Sequence, residues 1–393
     1  MFSKTDTESP RRNNLVTAVA QILRKEIDAR GPIPFARFME VALYSPDIGY
    51  YERPQQVIGR AGDYFTSVSV GDLFGRLLAF RFAEWLKELP EGPLQLVEAG
   101  AHHGQLARDV LTWLRDREPQ LLESLEYWII EPSPNRQIIQ RKELSLFGAR
   151  MRWGRSLSDL PESAVQGIIF SNELLDAMPV RRFGWDARAR EWFEWAVGLR
   201  ENRFGWEKLP VDPGSVRALL GKAGLLLPGE AMVHVPDQFT VEVSSAAASW
   251  WRDAAARLRS GKLLAIDYGL SAEEFFAPQR EAGTVRAFHR HHLNPDVLAQ
   301  PGEQDLTAHV NFTHLQSVGE AAGLQTEGRL GQSQFLTGIA RSTWEDPSRF
   351  GPWTPSCLRQ LQTLIHPEHL GRSFQVLVQS TSGKAGGSRL PKT

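Results

Sequence analysis

Three stretches of this sequence gather residue types that could do chemistry. In "LQLVEAGAHHGQLARDVL", Leu94 to Leu111, an apolar run ends at Glu98, Gly100 and Gly104 bracket His102 and His103, and helical spacing follows. A strand, a glycine turn and a helix start are the parts that point backbone N–H groups at a polar ligand. In "LEYWIIEPSPNRQIIQ", Leu125 to Gln140, a second apolar run ends at Glu131, 31 residues past Gly100. A carboxylate at a strand end can accept hydrogen bonds from both hydroxyls of a ribose. In "GIIFSNELLDAMPV", Gly167 to Val180, Asn172 and Glu173 follow an apolar run directly, and Asp176 comes soon after. That puts an amide and a carboxylate at a sheet's carboxyl edge, where a substrate would meet a cofactor.

The spacing discriminates between cofactors. A dinucleotide fingerprint needs glycines at relative positions 1, 3 and 6, which here are Gly100, His102 and Gln105. A G-x-G-x-G turn fails at His102 alone. The step from Gly100 to Glu131 also exceeds the roughly 20 residues of the dinucleotide fold. It suits a longer first helix and an S-adenosylmethionine turn. An NAD-linked oxidoreductase conflicts with these glycines. The plainer reading of Glu131 is a cap on the next helix, and of Glu173 an acid in a helix's first turn. A side chain at position 102 crowds the cofactor unless the backbone moves or the ring points aside.

The histidines invite a metal reading, and it is weak. His102 and His103 have only Glu98 as a nearby acid in sequence. His289, His291, His292, His309 and His314 show no helical i, i+4 pairing that would converge ligands on one ion. No metal ligand is assigned. Cys357, the single cysteine, has no partner motif and reads as an inert thiol.

The elements that must position these groups form an α/β pattern. Short apolar runs at 94–99, 125–131, 151–153, 167–171 and 263–269 alternate with helical patterns at 104–117, 134–145 and 244–259. Continuous apolar strands joined by helices indicate a parallel sheet covered on both faces. Residues 1–92 read as a mostly helical N-terminal region, with Asp72 capping the helix that follows it. The core spans 93–180 and 240–340. Between them, 181–239 reads as an inserted β-hairpin and substrate region, because aromatic and polar residues alternate around a polar turn. Farther on, "QFLTGIA" and "FQVLVQS" are candidate strands, the second inside a C-terminal segment 341–380, and 381–393 reads as a disordered tail.

Composition narrows the partners. Lysine plus arginine, 45, nearly balances aspartate plus glutamate, 46. A balanced surface gives no reason to expect nucleic acid. No apolar run approaches the ~18 residues of a membrane span. The polar N-terminus "MFSKTDTESPRRNN" mixes acids with bases and lacks an apolar core, which gives a cytoplasmic expectation. The aromatic hairpin is a candidate surface for substrate or for a second copy of the chain in a homodimer.

Taken in order, these blocks resemble the MidA-like S-adenosylmethionine-dependent methyltransferases over roughly residues 15–340. "GPIPFARFMEVALYSPDIGYY" and "IGRAGDYFTSVSVGDLFG" are similar to the family's N-terminal signatures, and "EAGAHHGQLARDVL" stands at its glycine-rich turn. "IIEPSPNRQIIQ", "SNELLDAMPV", "LLAIDYG" and "GTVRAFHRHHLNPDVLAQPGEQDLTAHVNFTHL" match later blocks. The resemblance implies a class I Rossmann-like core with N-terminal helices and insertions. It implies symmetric dimethylation of an arginine in a protein substrate, linked to respiratory complex assembly, with S-adenosylhomocysteine as product. Cofactor contacts would fall on Gly100, His102, Gly104 and Glu131, with Glu98 shaping the turn. Gly59, Arg60, Gly62, Asp63 and Thr66 match a block that closes over the cofactor. Asn172, Glu173 and Asp176 match the block beside the transferred methyl, with Glu173 expected to hold the guanidinium. Two positions depart from the family: His102 replaces a glycine, and Asn311 stands where an aspartate is typical. The alternative is a catalytically silent relative that binds a protein partner as an assembly factor.

Overall fold

A parallel strand buried on both faces has no polar side to show, so its sequence is an unbroken apolar run. The computed structural model describes residues 17–53, 66–289, 292–367, 370–371 and 373–381. The apolar runs form core strands β1 (Leu94–Ala99), β2 (Leu125–Ile130), β3 (Met151–Gly154), β4 (Val165–Asn172) and β5 (Leu258–Leu270). Two later strands, β6 (Leu324–Gly331) and β7 (Phe374–Thr381), extend the sheet, and the short strand Val310–Asn311 pairs with the end of β5. Across it the order is β6-β7-β5-β4-β1-β2-β3. Strands β1 to β5 pair in parallel, and β7 runs antiparallel to both its neighbours. The chain lays strands outward from β1 in one direction and from β4 in the other. The crevice between the carboxyl ends of β1 and β4 is therefore the switch point where open α/β sheets bind ligands.

Helices cover both faces. The described helices longer than five residues are α1 (Ala18–Arg30), α2 (Phe35–Tyr44), α3 (Leu73–Lys87), α4 (Gln105–Arg117), α5 (Pro134–Glu143), one inserted helix at Pro213–Lys222, and α6 (Ser245–Arg257), α7 (Phe312–Ala321), α8 (Gln332–Glu345) and α9 (Pro355–Ile365). On one face α3, α4, α8 and α9 bury Leu77, Val110, Leu336 and Leu361 in the same core as Leu96 and Phe170. On the other, α6 and α7 bury Trp251 and Phe312 with Val97 and Ile169. The Trp251 ring is fully buried and its Nε1 donates to Gln379 Oε1 at 2.8 Å, so its polar end is satisfied. Truncating such a ring to alanine costs about 3–5 kcal/mol.

The insertion is larger than a hairpin. Arg181–Asp186, Glu191–Arg200 and Arg203–Leu209 form an antiparallel meander; Thr240–Val243 pairs with its first strand, and Ile33–Pro34 pairs with its central strand at Val197 and Ala196. Its aromatics pack inward: Trp206 lies 5.2 Å from Phe35 of α2, and the Arg182 guanidinium sits 4.6 Å over the Trp206 ring. Trp195 Nε1 donates to Thr240 Oγ1 at 2.9 Å. Thus α1 and α2 share a core with the insertion, whereas α3 packs on the central sheet.

Two local expectations need correction. "QFLTGIA" lies in α8, and its buried Phe335, Leu336, Ile339 and Ala340 follow a helical period. The strand comes just before it, in β6, where "LQTEGRLG" is less apolar because the strand is at the sheet's edge. Asp72 occupies the N-cap position of α3 without capping it; its carboxylate faces Arg76 at 3.5 Å instead. Asn311 caps α7 by accepting from His314 N, and its Nδ2 donates to Ala223 O at 2.8 Å. An aspartate there could not make that second bond, because an ionised carboxylate has no donor. The expected tail lies outside the described residues apart from Thr381, which ends β7.

Candidate functional site

At the end of β1 the chain turns through three left-handed residues: Gly100 at φ 74°, His102 at φ 48° and Gly104 at φ 85°. A Cβ on Gly100 would meet Leu174 Cδ1 at 2.9 Å, so both conformation and space demand glycine there. Gly104 N donates to Ala101 O at 2.7 Å, closing the turn as α4 begins. His102 takes the same conformation with a side chain attached, at a cost of about 1–2 kcal/mol. Its ring stacks on His103 with centroids 3.9 Å apart. Burial, then the Arg136 charge, holds the His102 imidazole well below its ordinary pKa, so it is neutral. Glu98, buried beneath the turn, accepts from Tyr127 OH at 2.6 Å, and burial pushes its carboxyl up to about 7.

At the end of β2, Glu131 accepts from Ser133 N at 3.0 Å and from Gln140 Nε2 at 3.2 Å. The helix cap is Ser133, whose Oγ accepts from Arg136 N. Gln140 Nε2 also donates to His102 O at 2.8 Å, and Trp153 Nε1 donates to Gln140 Oε1 at 3.1 Å. Burial raises the Glu131 carboxyl, and Arg136 opposes the rise.

At the end of β4 a second strained turn begins. Glu173 has φ 52°, and its N donates to Ile266 O of β5 at 3.0 Å. Its Oε1 accepts from Ser67 N at 3.2 Å and from Asn172 Nδ2 at 3.1 Å. Burial, then the neighbouring Asp267, lifts the Glu173 carboxyl to about 8. Asp267 lies wholly inside, with Oδ2 taking Leu174 N at 3.1 Å and Leu175 N at 2.8 Å. Burial, then Asp267 and Asp305, raises Asp176 well above the carboxylate range. Asp305 Oδ1 accepts from Tyr51 OH at 2.6 Å. Among the described residues, no lysine or arginine forms an ion pair with Glu173, Asp176 or Asp267.

These turns wall one cleft, enclosing about 920 Å³ out to open solvent. Thr66, Glu98, Gly100, His102, Asn172, Glu173 and Asp176 line it, together with Tyr51, Asp305 and Thr307. Gly104 and Glu131 stand behind the wall, joined to it through the turn and through Gln140. Gly59, Arg60, Gly62, Asp63 and His291 lie outside the described residues. His309 lines a separate small pocket with Glu242 and His314. Among the described residues no three His, Cys, Asp or Glu side chains are placed to hold a metal ion. Cys357 is buried, and its Sγ takes the Thr354 hydroxyl at 3.3 Å and Arg76 Nη1 at 3.4 Å.

The cleft fits S-adenosylmethionine on its own features. The Gly100 turn leaves room that a Cβ would fill, and two residues of the wall carry buried polar atoms without partners among the described residues, His102 Nε2 and Asn172 Oδ1. Orphaned buried polar atoms are costly, and a bound polar ligand is a way to satisfy them. Sequence reading passed over Tyr51, Gln140, Asp267 and Asp305. Asp267 had a visible signal, an acid inside the apolar run "LLAIDYG". The others had none.

Comparison with known proteins agrees with this geometry. A model of a family described as S-adenosyl-L-methionine-dependent methyltransferase matches residues 77–330. The chain is 27% identical to the zebrafish Danio rerio protein named protein arginine methyltransferase NDUFAF7, mitochondrial, over 91% of this chain and 86% of that one. It is 26% identical to the Homo sapiens protein of the same name, over 96% and 86%. A crystal structure of a Burkholderia thailandensis protein bound to S-adenosyl-homocysteine superposes with a TM-score of 0.80 at 32% identity, covering 95% and 93% of the two chains. The cytoplasmic expectation is corrected here, since these curated relatives are named as mitochondrial proteins. No described helix is long and apolar enough to cross a membrane. A glycine-turn cleft at the sheet's switch point, a matching family model over most of the chain and a whole-length structural likeness together place this chain in the MidA-like family of S-adenosyl-L-methionine-dependent methyltransferases.

Proposed function

We propose that this methyltransferase acts on an arginine of a protein substrate, with Glu173 as the residue that holds the guanidinium. The observation that carries the reading is the carboxyl group of Glu173, half-buried, beside the buried carboxyls of Asp176 and Asp267; none of the three forms an ion pair with a described lysine or arginine. Clustered acids in a dry wall are costly unless a cation arrives to join them. A guanidinium is a planar cation that binds carboxylates in a fork, and it stays protonated in water. The names of the curated relatives point to the same acceptor. The family resemblance adds an expectation of a substrate in respiratory complex assembly.

S-adenosylmethionine supplies a methyl group already activated on a sulfonium. The chain's work is to align an acceptor nitrogen and to remove charge and water. Glu173 pairs with the guanidinium and aims one nitrogen along the cleft. Asn172 keeps Glu173 oriented through its Nδ2, and its Oδ1 is left to accept from the acceptor's N–H. Asp176 and Asp305 stand in the same wall, and the proton that the acceptor nitrogen sheds on gaining the methyl passes to a carboxylate ionised by pairing with the incoming cation. Gly100, His102, Gly104, Glu98 and Glu131 form the cofactor side, with Thr66 at its rim. Gly59, Arg60, Gly62 and Asp63 belong to the same proposal on resemblance alone. The division of the chain into a central core, an insertion at 181–239 and flanking regions is likewise proposed.

The test is a pair of measurements. Isothermal titration with S-adenosylhomocysteine should give saturable binding, and Glu173→Gln should bind it equally while losing transfer to arginine peptides. No heat at high micromolar ligand would favour a silent assembly factor, and turnover near that of the unaltered chain in Glu173→Gln would remove Glu173 from its role.

A further inference from the structure

We propose that Gln140 is a positioning residue that makes a histidine-bearing cofactor turn competent. The proposal rests on the cleft as the cofactor site. Position 102 takes a left-handed conformation that a glycine adopts freely and a histidine resists. Something must hold the turn, and the histidine ring does not do so by hydrogen bonding through Nε2, which has no partner among the described residues. Gln140 Nε2 does, donating to the His102 carbonyl at 2.8 Å. The same nitrogen donates its other hydrogen to Glu131 Oε2 at 3.2 Å. Trp153 Nε1 fixes the amide from behind by donating to Gln140 Oε1 at 3.1 Å, which also settles which end of the amide is nitrogen. Gln140 is fully buried, so water cannot replace these bonds.

One side chain therefore spans the turn after β1, which walls the cleft, and the acid after β2, which stands behind it. The clamp matters because residue 102 is histidine. Were it glycine, the turn would need less holding.

That dependence gives the experiment. S-adenosylhomocysteine is titrated calorimetrically into the full chain, Gln140→Leu, His102→Gly and the double variant. In the histidine background, Gln140→Leu should weaken binding at least about tenfold, the equivalent of losing roughly one or two buried hydrogen bonds. In the glycine background the same substitution should weaken it about threefold or less, leaving the share that belongs to Glu131. Equal losses in both backgrounds, or no loss in either, would overturn the clamp while leaving the cofactor site intact. A full chain silent toward S-adenosylhomocysteine would overturn the cofactor reading of the cleft and the clamp with it. Gln140→Met, closer in shape, is run beside Gln140→Leu, and thermal melts of all variants separate a lost clamp from a lost fold.

Discussion

Residues 98–104 and 172–176 both follow a parallel strand, both carry a left-handed residue that is not glycine, and both wall the same cleft. They are held by different means. The first turn is set by backbone: two glycines, a carbonyl gripped by Gln140, and a neutral imidazole whose Nε2 has no partner among the described residues. The second is set by carboxyls: Asp267 collects three backbone N–H groups, and Glu173 is tied to Ser67 and Asn172. A shape-based turn suits a ligand that is always the same, and a charge-based one suits recognition of a cation. The contrast places strain at a functional site on both sides, and it can be broken by substitution.

The largest effect is expected on the charged side. Glu173→Gln should cut transfer by about 10²–10³-fold with S-adenosylhomocysteine affinity preserved, measured by single-turnover assay and calorimetry. Next comes pH. The Glu173 carboxyl titrates near 8 in the free chain, so a guanidinium binding below that pH must displace a proton. Acceptor affinity should rise about tenfold per unit as pH climbs toward 8 and level off above it, read from KM for an arginine peptide. Stability should run the other way. The folded chain holds the Glu173 proton up to about 8, while an unfolded one releases it near the ordinary glutamate value. Between those limits the folded state binds more protons, so unfolding free energy falls as pH rises, and Glu173→Gln should flatten that slope in urea titrations. On the shape-based side, Glu131→Gln should weaken S-adenosylhomocysteine by about tenfold and leave turnover at saturating cofactor unchanged. The smallest effect is His102→Gly, which should raise unfolding free energy by about 1 kcal/mol by relieving the left-handed strain. A drop in stability on that change would mean that the ring's packing on His103 outweighs the strain.

Strand ends were readable from the chain alone because an apolar run that stops at an acid marks both the strand and its carboxyl edge. Glu98, Glu131 and the Asn172–Glu173 pair were found in that way. The acids that complete the cluster depend on partners far off in sequence. Asp267 reaches the loop after β4 because β5 lies beside β4 in register, Ile266 opposite Asn172. Tyr51 meets Asp305 across 254 residues. Nothing local encodes either contact. Gln140 looks like any polar residue on an amphipathic helix until β3 supplies Trp153 to bury it. The error at "QFLTGIA" has a different origin: seven residues are too few for an apolar run to declare its period.

The antiparallel strand β7 has a consequence for how this molecule comes together. It is the last strand in chain order among the described residues, yet it lies between β5 and β6. Strand β6 has no other route into the sheet, since its described pairing is with β7 alone. Strands β1 to β5 can assemble as the chain emerges, while β6 waits with its backbone unpaired until residues 374–381 arrive. Long-range pairing of this kind is slow and leaves strand edges open in the meantime. Synthesis of the C-terminal strand is therefore the step that seals the sheet, and a nascent chain held short of it would present β5 as an open edge to chaperones.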